Sequence, residues 1–264
     1  MSAPRPCALI TGGSGGIGAE LAKLFARDGY DLVLAARGAD QLEQTAAMLH
    51  RTYGIRAATC ACDLSQADGV TSLIQYVIDN AFQIDVLVNN AGFGGYGLFH
   101  ETPFDQERDM LSVNIAALTA LTKAVLPPMV RRKSGGILNV ASTAAFQPGP
   151  LMAVYYATKA YVLQFSLALS VELEGTGVHV TCLCPGPTKT RFQASANMLH
   201  SRLFSAGAMD AATVAHIGYR AFRRRRPLVI AGKRNAFGAF LTRLVPRIWA
   251  AKVARIAQGR KGGG

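Results

Sequence analysis

Thr11 to Gly18 reads TGGSGGIG, eight residues of which five are glycine. On its left lies the apolar run CALIT, residues 7–11. On its right, IGAELAKLFARDG has helical periodicity and ends at a glycine. A glycine-rich turn joining a strand to a helix lets the backbone bend sharply and come close to a ligand. The unpaired N–H groups and positive dipole end of the helix then favour an anion. There is no Gly-Lys-Ser/Thr, so the stretch is not a Walker loop. It also departs from G-x-G-x-x-G and reads T-G-x-x-x-G-x-G, with Gly12, Gly16 and Gly18. Thr11, Gly12, Ser14, Gly15, Gly16, Ile17 and Gly18 are therefore the candidate phosphate-side residues.

Working outward, apolar runs keep alternating with helical patterns. Strands are expected at CALITG, DLVLAAR, RAATCACD, IDVLVNNAG, GGILNVAS, GVHVTCLCPG and PLVIAG. Helices are expected between them, including a long one around 105–130 and another from about 153 to 174. The strands are rich in Val, Leu and Ile and do not alternate strictly, as expected of a parallel sheet covered on both faces. The predicted fold class is α/β: one doubly wound Rossmann-type domain with a seven-stranded parallel sheet flanked by helices. It spans residues 1–234, and residues 235–264 form a basic amphipathic C-terminal extension.

The chain has 264 residues and is half apolar, enough for a sizeable core. No uninterrupted apolar run of about 18 residues predicts a spanning helix, and the start shows no leader pattern. The five cysteines, Cys7, Cys60, Cys62, Cys182 and Cys184, lie in strand-like runs and read as small buried side chains. The histidines are scattered, and no metal site is read. The net charge of +12 is uneven: of 28 Lys and Arg, 13 fall in residues 211–264, which hold no acid. That leaves 15 basic and 16 acidic residues before them. A nearly neutral body thus carries a basic tail. FRRRRPLVI reads as a solvated helix end, and no motif for binding nucleic acid accompanies the charge.

The second expected strand ends in LVLAARGAD. An acidic residue there would hold the adenosine ribose hydroxyls of NAD(H). Here Ala36 and Arg37 follow, and an arginine suits a 2′-phosphate, so NADP(H) is expected in preference to NAD(H). Asp63, followed by Leu64 in CACDL, is placed to accept from the adenine amino group or to cap the next helix.

With TGGSGGIG and Asp63 in CDL, five further motifs occur in the order of one family: NNAG at residues 89–92, Asn114 in SVNIAAL, Ser142 in NVASTAAF, YYATK at 155–159 and PGPTKT at 185–190. Over about residues 7–192 the chain resembles the short-chain dehydrogenase/reductase family. The resemblance implies a catalytic set of Ser142, Tyr155, Lys159 and Asn114. Tyr155, rather than the adjacent Tyr156, is then the general acid and base. Lys159, with an oxidised nicotinamide, would lower its pKa and hold the nicotinamide ribose. Ser142 would donate to the reacting oxygen, and Asn114 would hold a water behind Lys159. Asn90, Ala91, Gly92, Pro185, Gly186, Thr188 and Thr190 would also border the cofactor. The implied substrate is a small carbonyl or alcohol, and the implied assembly is a homodimer or homotetramer.

Phe192, Met198, Leu199, Leu203 and Phe204, with the loop GFGGYGLF at 92–99, read either as an apolar pocket beneath a mobile lid, which favours a lipophilic ketone, fatty-acyl or steroid-like substrate, or as packing against the body or a second subunit. In the tail, Phe237, Phe240, Leu241, Leu244, Val245, Ile248 and Trp249 fall on one side at helical spacing. Pro246 is expected to break it into two helices. Such a basic amphipathic element reads as a contact for an anionic membrane surface, or as packing on the body or a second subunit. The expected location is cytoplasmic, peripheral to a membrane. The competing readings are a redox sensor without turnover and an NAD(H)-preferring alcohol dehydrogenase.

Overall fold

The computed structural model describes residues 5–190 and 207–259. Seven strands form one parallel sheet: β1 (Cys7–Thr11), β2 (Asp31–Ala36), β3 (Ala57–Ala61), β4 (Ile84–Asn89), β5 (Gly135–Val140), β6 (Val178–Cys184) and β9 (Leu228–Ile230). Their order is β3-β2-β1-β4-β5-β6-β9. The two-residue strands β7 (Thr188–Lys189) and β8 (Met209–Asp210) pair outside it. Every residue of β1 is buried, as are most of β2, β4, β5 and β6, because helices cover both faces.

One face takes α1 (Gly16–Arg27), α2 (Ala39–Tyr53) and α7 (Ala211–Arg223), with Phe25 packed edge-on against Tyr219 and Phe222. The other takes α3 (Ala67–Asp79), α5 (Leu118–Arg132) and α6 (Ala153–Glu172). Two short helices close the described chain: α8 (Lys233–Leu241) and α9 (Arg247–Gln258). Pro246 stands as the N-cap of α9, where its missing N–H costs nothing, so the tail divides at the proline as expected. The arginine run also lies at a helix end. Arg223 closes α7 and pairs with Asp28 at 3.9 Å, and Arg224 to Arg226 are exposed.

The long central helix expected around 105–130 is present, with one irregularity inside it. It begins as α4 (Phe104–Leu111), widens into a π-helical stretch over Ser112–Ala117, and continues as α5. Residues 104–132 are long and apolar enough to cross a membrane by length and composition, yet Leu118, Leu121, Val125 and Met129 are buried in the core.

Strand order reverses between β1 and β4, which opens a crevice at the carboxyl ends of the strands. Thr11 ties its two sides together. Its hydroxyl donates to Val88 O (3.3 Å) and accepts from the N–H groups of Asn90 (3.1 Å) and Ala91 (3.0 Å). A buried polar chain stiffens the same region. Asn89 Nδ2 donates to Asn139 Oδ1 (2.9 Å) and Thr122 Oγ1 (3.1 Å), Asn139 Nδ2 donates to Ser166 Oγ (2.9 Å), and Ser166 donates to Val162 O (2.6 Å). It joins β4, β5, α5 and α6, and α6 carries Tyr155 and Lys159.

Candidate active site

A cavity of about 600 Å³ lies over the carboxyl ends of β1, β2, β4, β5 and β6. At one end the glycine turn enters α1. Gly12 and Gly16 sit at φ +66° and +55°, where a side chain would be strained. A Cβ on Gly18 would collide with the Gly12 carbonyl and the Asn90 side chain, so Gly18 packs the turn instead of facing the cavity. Gly15 is extended and exposed, and a Cβ there would meet nothing within 4 Å. The turn therefore leaves open space in front of the N-terminus of α1, a cradle that suits a phosphate. Ser14, Gly16 and Ile17 line the same wall, with Thr190 facing Gly16 across it.

Arg37 is exposed at the end of β2 on the cavity edge, near Asp63. Asp63 Oδ1 accepts from the Ser65 N–H at 3.0 Å. That bond, chiefly, with the Ser65 hydroxyl and the Arg37 charge, holds its carboxyl below the usual range. Asp63 does not cap α3, whose N-cap is Gln66. It pins the turn that carries Leu64 along the cavity.

The other end holds the reactive residues. Ser142 follows β5 in extended backbone and caps a single 3-10 turn, with Ala144 N–H donating to its Oγ at 3.1 Å. It also hydrogen-bonds Tyr155. Tyr155 and Lys159 lie one turn apart at the start of α6, so both reach the cavity. Lys159 is buried. Its Nζ donates to Val140 O at 3.1 Å and stands 5.8 Å from the centre of the Tyr155 ring. Burial brings its amine down from 10.5 to about 8.

Burial also pushes the Tyr155 phenol up, while the Ser142 bond pulls it back. The expected lowering by Lys159 acting together with an oxidised nicotinamide concerns the loaded site. The protein surroundings alone favour neutral phenol, because the closely packed site resists an anion.

Asn114 sits in the widened helical turn and is fully buried. Its Nδ2 donates to Phe93 O and Thr158 Oγ1 (both 3.0 Å), and its Oδ1 accepts from Phe93 N–H (3.2 Å). Gly92 lies between Asn114 and Lys159: a Cβ there would stand 2.9 Å from Asn114 Oδ1 and 3.3 Å from Lys159 Nζ. Pro185, Gly186, Thr188, Asn90, Ala91 and Gly92 line the remaining wall, and the Thr188 hydroxyl donates to Gly186 O at 2.9 Å. Most of the expected site residues thus converge on one cavity. Thr11, Gly18 and Asn114 stand behind its wall and hold it in shape. Phe192, Met198, Leu199, Leu203 and Phe204 lie outside the described residues.

The cradle, the arginine at the β2 end and the Ser142, Tyr155 and Lys159 cluster fit a nicotinamide dinucleotide laid across the crevice. The model of the short chain dehydrogenase family matches residues 6–199. The chain belongs to the short-chain dehydrogenase family. A very-long-chain 3-oxoacyl-CoA reductase of Phaeosphaeria nodorum is 38% identical over 182 residues, covering 67% of this chain and 53% of that protein. The chain thus matches only about half the length of that relative. A putative ketoacyl reductase of Streptomyces coelicolor is 34% identical over 206 residues, 77% of this chain and 78% of its own. Among solved structures, a short-chain dehydrogenase from Sphingobium yanoikuyae in complex with NADPH superposes with a TM-score of 0.82. It is 30% identical and covers 98% of both chains.

Two features of this short-chain dehydrogenase site were not legible in the motifs. Tyr156 lines the cavity beside Tyr155, their ring centres 6.1 Å apart, and its hydroxyl accepts from Gln258 Nε2 at 2.5 Å. Tyr96 OH donates to the backbone carbonyl of Gln258 at 2.9 Å. The end of α9 is thereby fastened to the wall of the cavity. Only the adjacent tyrosine and the GFGGYGLF loop hinted at it, and neither named a partner 102 residues away.

Proposed function

We propose that the protein is an NADP(H)-preferring reductase that interconverts an apolar ketone, of the 3-oxoacyl or comparably lipophilic class, with its secondary alcohol. The observation that carries this reading is the meeting of Ser142, Tyr155 and Lys159 in one cavity with the glycine turn. When bound, the nicotinamide supplies or accepts a hydride at C4. Gly12 to Ile17 and the N-terminus of α1 hold the pyrophosphate. Arg37 pairs with a 2′-phosphate, and no acidic residue directly follows it to favour a bare ribose.

Tyr155 places its hydroxyl on the substrate oxygen and gives up its proton as negative charge develops there. Ser142 donates to the same oxygen and stabilises that charge. Lys159 holds the ribose hydroxyls and passes a proton toward Tyr155. An amine near 8 is suited to this, since it exchanges protons close to neutral pH. Asn114 fixes the wall behind Lys159. The apolar substrate class rests on Phe93, Met152 and Tyr156 around the reactive end and on the oxoacyl and ketoacyl names of the relatives. A homodimer or homotetramer is the proposed assembly.

The test is a fluorescence titration with NADPH and NADH, followed by a carbonyl panel that includes a 3-oxoacyl thioester. Tighter binding of NADPH and its oxidation by the lipophilic carbonyls is the expected result. NADPH binding with no oxidation on any carbonyl would replace the reductase with a sensor.

A further inference from the structure

The two helices after β9 carry their side chains the wrong way round for a soluble surface. On α9 the inward positions are Ala250, Ala254 and Gln258, at four-residue intervals. The outward positions include Ile248, Trp249, Val253 and Ile256, each about two-thirds exposed. On α8 and the connection to α9, Ala239 is buried while Phe237, Phe240, Leu241, Leu244 and Val245 are exposed. Nine of the sixteen large apolar side chains exposed among the described residues thus lie on this two-helix segment. Monomeric proteins rarely leave so many large apolar side chains of one segment in water.

The charge on the face is of one sign. Lys233, Arg234, Arg243, Arg247, Lys252 and Arg255 are all exposed, and the sequence holds no Asp or Glu after Asp210. A second copy seated on the same face would set these cations against their own symmetry mates. An anionic bilayer would neutralise them, and their long stems would let the apolar residues between them enter the headgroup boundary. The segment is tied to the site by a few named contacts. Asn235 of α8 packs against Gly186, and Gln258 of α9 bonds both Tyr96 and Tyr156 on the cavity wall. Leu98 and Phe99, just beyond Tyr96, are exposed as well.

We infer that the α8–α9 segment docks this protein on an anionic lipid surface and brings the mouth of its cavity to the membrane. The docking stands on the exposed face alone. Its benefit to substrate capture rests on the reductase reading above.

Trp249 is the only tryptophan in the chain and lies on the face, so its emission reports docking directly. The full-length protein is titrated with vesicles of phosphatidylcholine containing phosphatidylserine, and with phosphatidylcholine alone. The expected result is a blue shift on anionic vesicles, quenched by lipids brominated near the headgroup and reversed by high salt. Each exposed cation removed should weaken partitioning about fivefold, so Arg243→Gln with Arg247→Gln should weaken it roughly 25-fold. No shift on anionic vesicles, or an equal shift on neutral ones, would overturn the proposal. So would a shift that appears without vesicles as protein concentration rises, which would assign the face to a second copy. Neither arm needs turnover, so a failed reductase reading leaves the result intact. Where turnover is found, the double variant should keep its rate on a water-soluble ketone and lose it on one dissolved in the bilayer.

Discussion

Replacing Lys159 by methionine should make the cofactor-free protein more stable at neutral pH, although it removes a residue placed at the centre of the chemistry. The amine is buried and its value falls from 10.5 to about 8. In the unfolded chain the lysine keeps its proton up to about 10.4, so between pH 8 and that value folding releases it. Stability contributed by this position therefore rises with pH across the window, and the full penalty applies below pH 8. At about 1.4 kcal/mol per pH unit, the displacement corresponds to about 3 kcal/mol at pH 7. Methionine fills a comparable volume with no charge to desolvate. It forfeits the 3.1 Å bond to Val140 O, a loss of about 1 kcal/mol. The net expectation is a gain of about 2 kcal/mol at pH 7, shrinking to nothing near pH 10, where the charge penalty has fallen below about 1 kcal/mol. Urea unfolding at both pH values reads this as a midpoint shift somewhat under 1 M, for a slope of about 3 kcal/mol per M. A parent at least as stable as the variant at pH 7 would refute the reasoning, as would a difference that stays constant between the two pH values.

Five further variants have expected outcomes. Tyr155→Phe should lower turnover about 10²- to 10⁴-fold while NADPH titration stays nearly unchanged; a fully active variant would pass the proton role to Tyr156. Arg37→Asp should move the ratio of NADPH to NADH affinity toward NADH, and an unmoved ratio would remove Arg37 from the 2′-phosphate. Gly15→Ala should leave thermal unfolding in place, since its backbone is extended and a Cβ meets nothing, yet weaken dinucleotide binding; Gly18→Ala should instead lower the melting temperature, because its Cβ has nowhere to go. Tyr156→Phe leaves the buried Gln258 amide without its partner, costing about 1–3 kcal/mol, and should loosen α9 in hydrogen exchange before the sheet; equal exchange in both forms would mean that the bond does not anchor the helix.

The sheet and the site were legible for different reasons. The seven strands could be read because a parallel sheet covered on both faces needs unbroken apolar runs, and each run here is short and bounded by turn residues. TGGSGGIG was readable because only glycine tolerates Gly12's positive φ and the close approach of Gly18 to the Gly12 carbonyl. Ser142, Tyr155 and Lys159 were readable as a spaced set, and the fold does bring them together. What stayed hidden depends on contacts between distant parts of the chain. The widening of the helix at Asn114 has no local breaker: SVNIAA carries neither Gly nor Pro, and the turn is set by Asn114 bonding Phe93 and Thr158. The tail's amphipathic pattern was visible, but its orientation was not. Periodicity names two faces and is silent on which one meets the body. Ala250, Ala254 and Gln258 turn inward because Gln258 finds Tyr156 and Tyr96.

The buried polar chain under the site bears on the same point. Two groups at the reactive end, Lys159 and Tyr155, are held where burial opposes their charged forms. Such a site would relax if α6 could slide or tilt away from the sheet. Asn89, Asn139 and Ser166 oppose that movement, since each is buried and any shift of α6 against β5 would strand a donor in the core. Apolar side chains at those positions could fill the volume but would permit small slips, because apolar contacts have no fixed register. Asn139→Leu should therefore lower turnover more than it lowers stability. The mark of a positioning role would be a fall in kcat with KM little changed and the NADPH titration intact. A variant whose activity loss merely tracked its unfolded fraction would reduce the chain to packing.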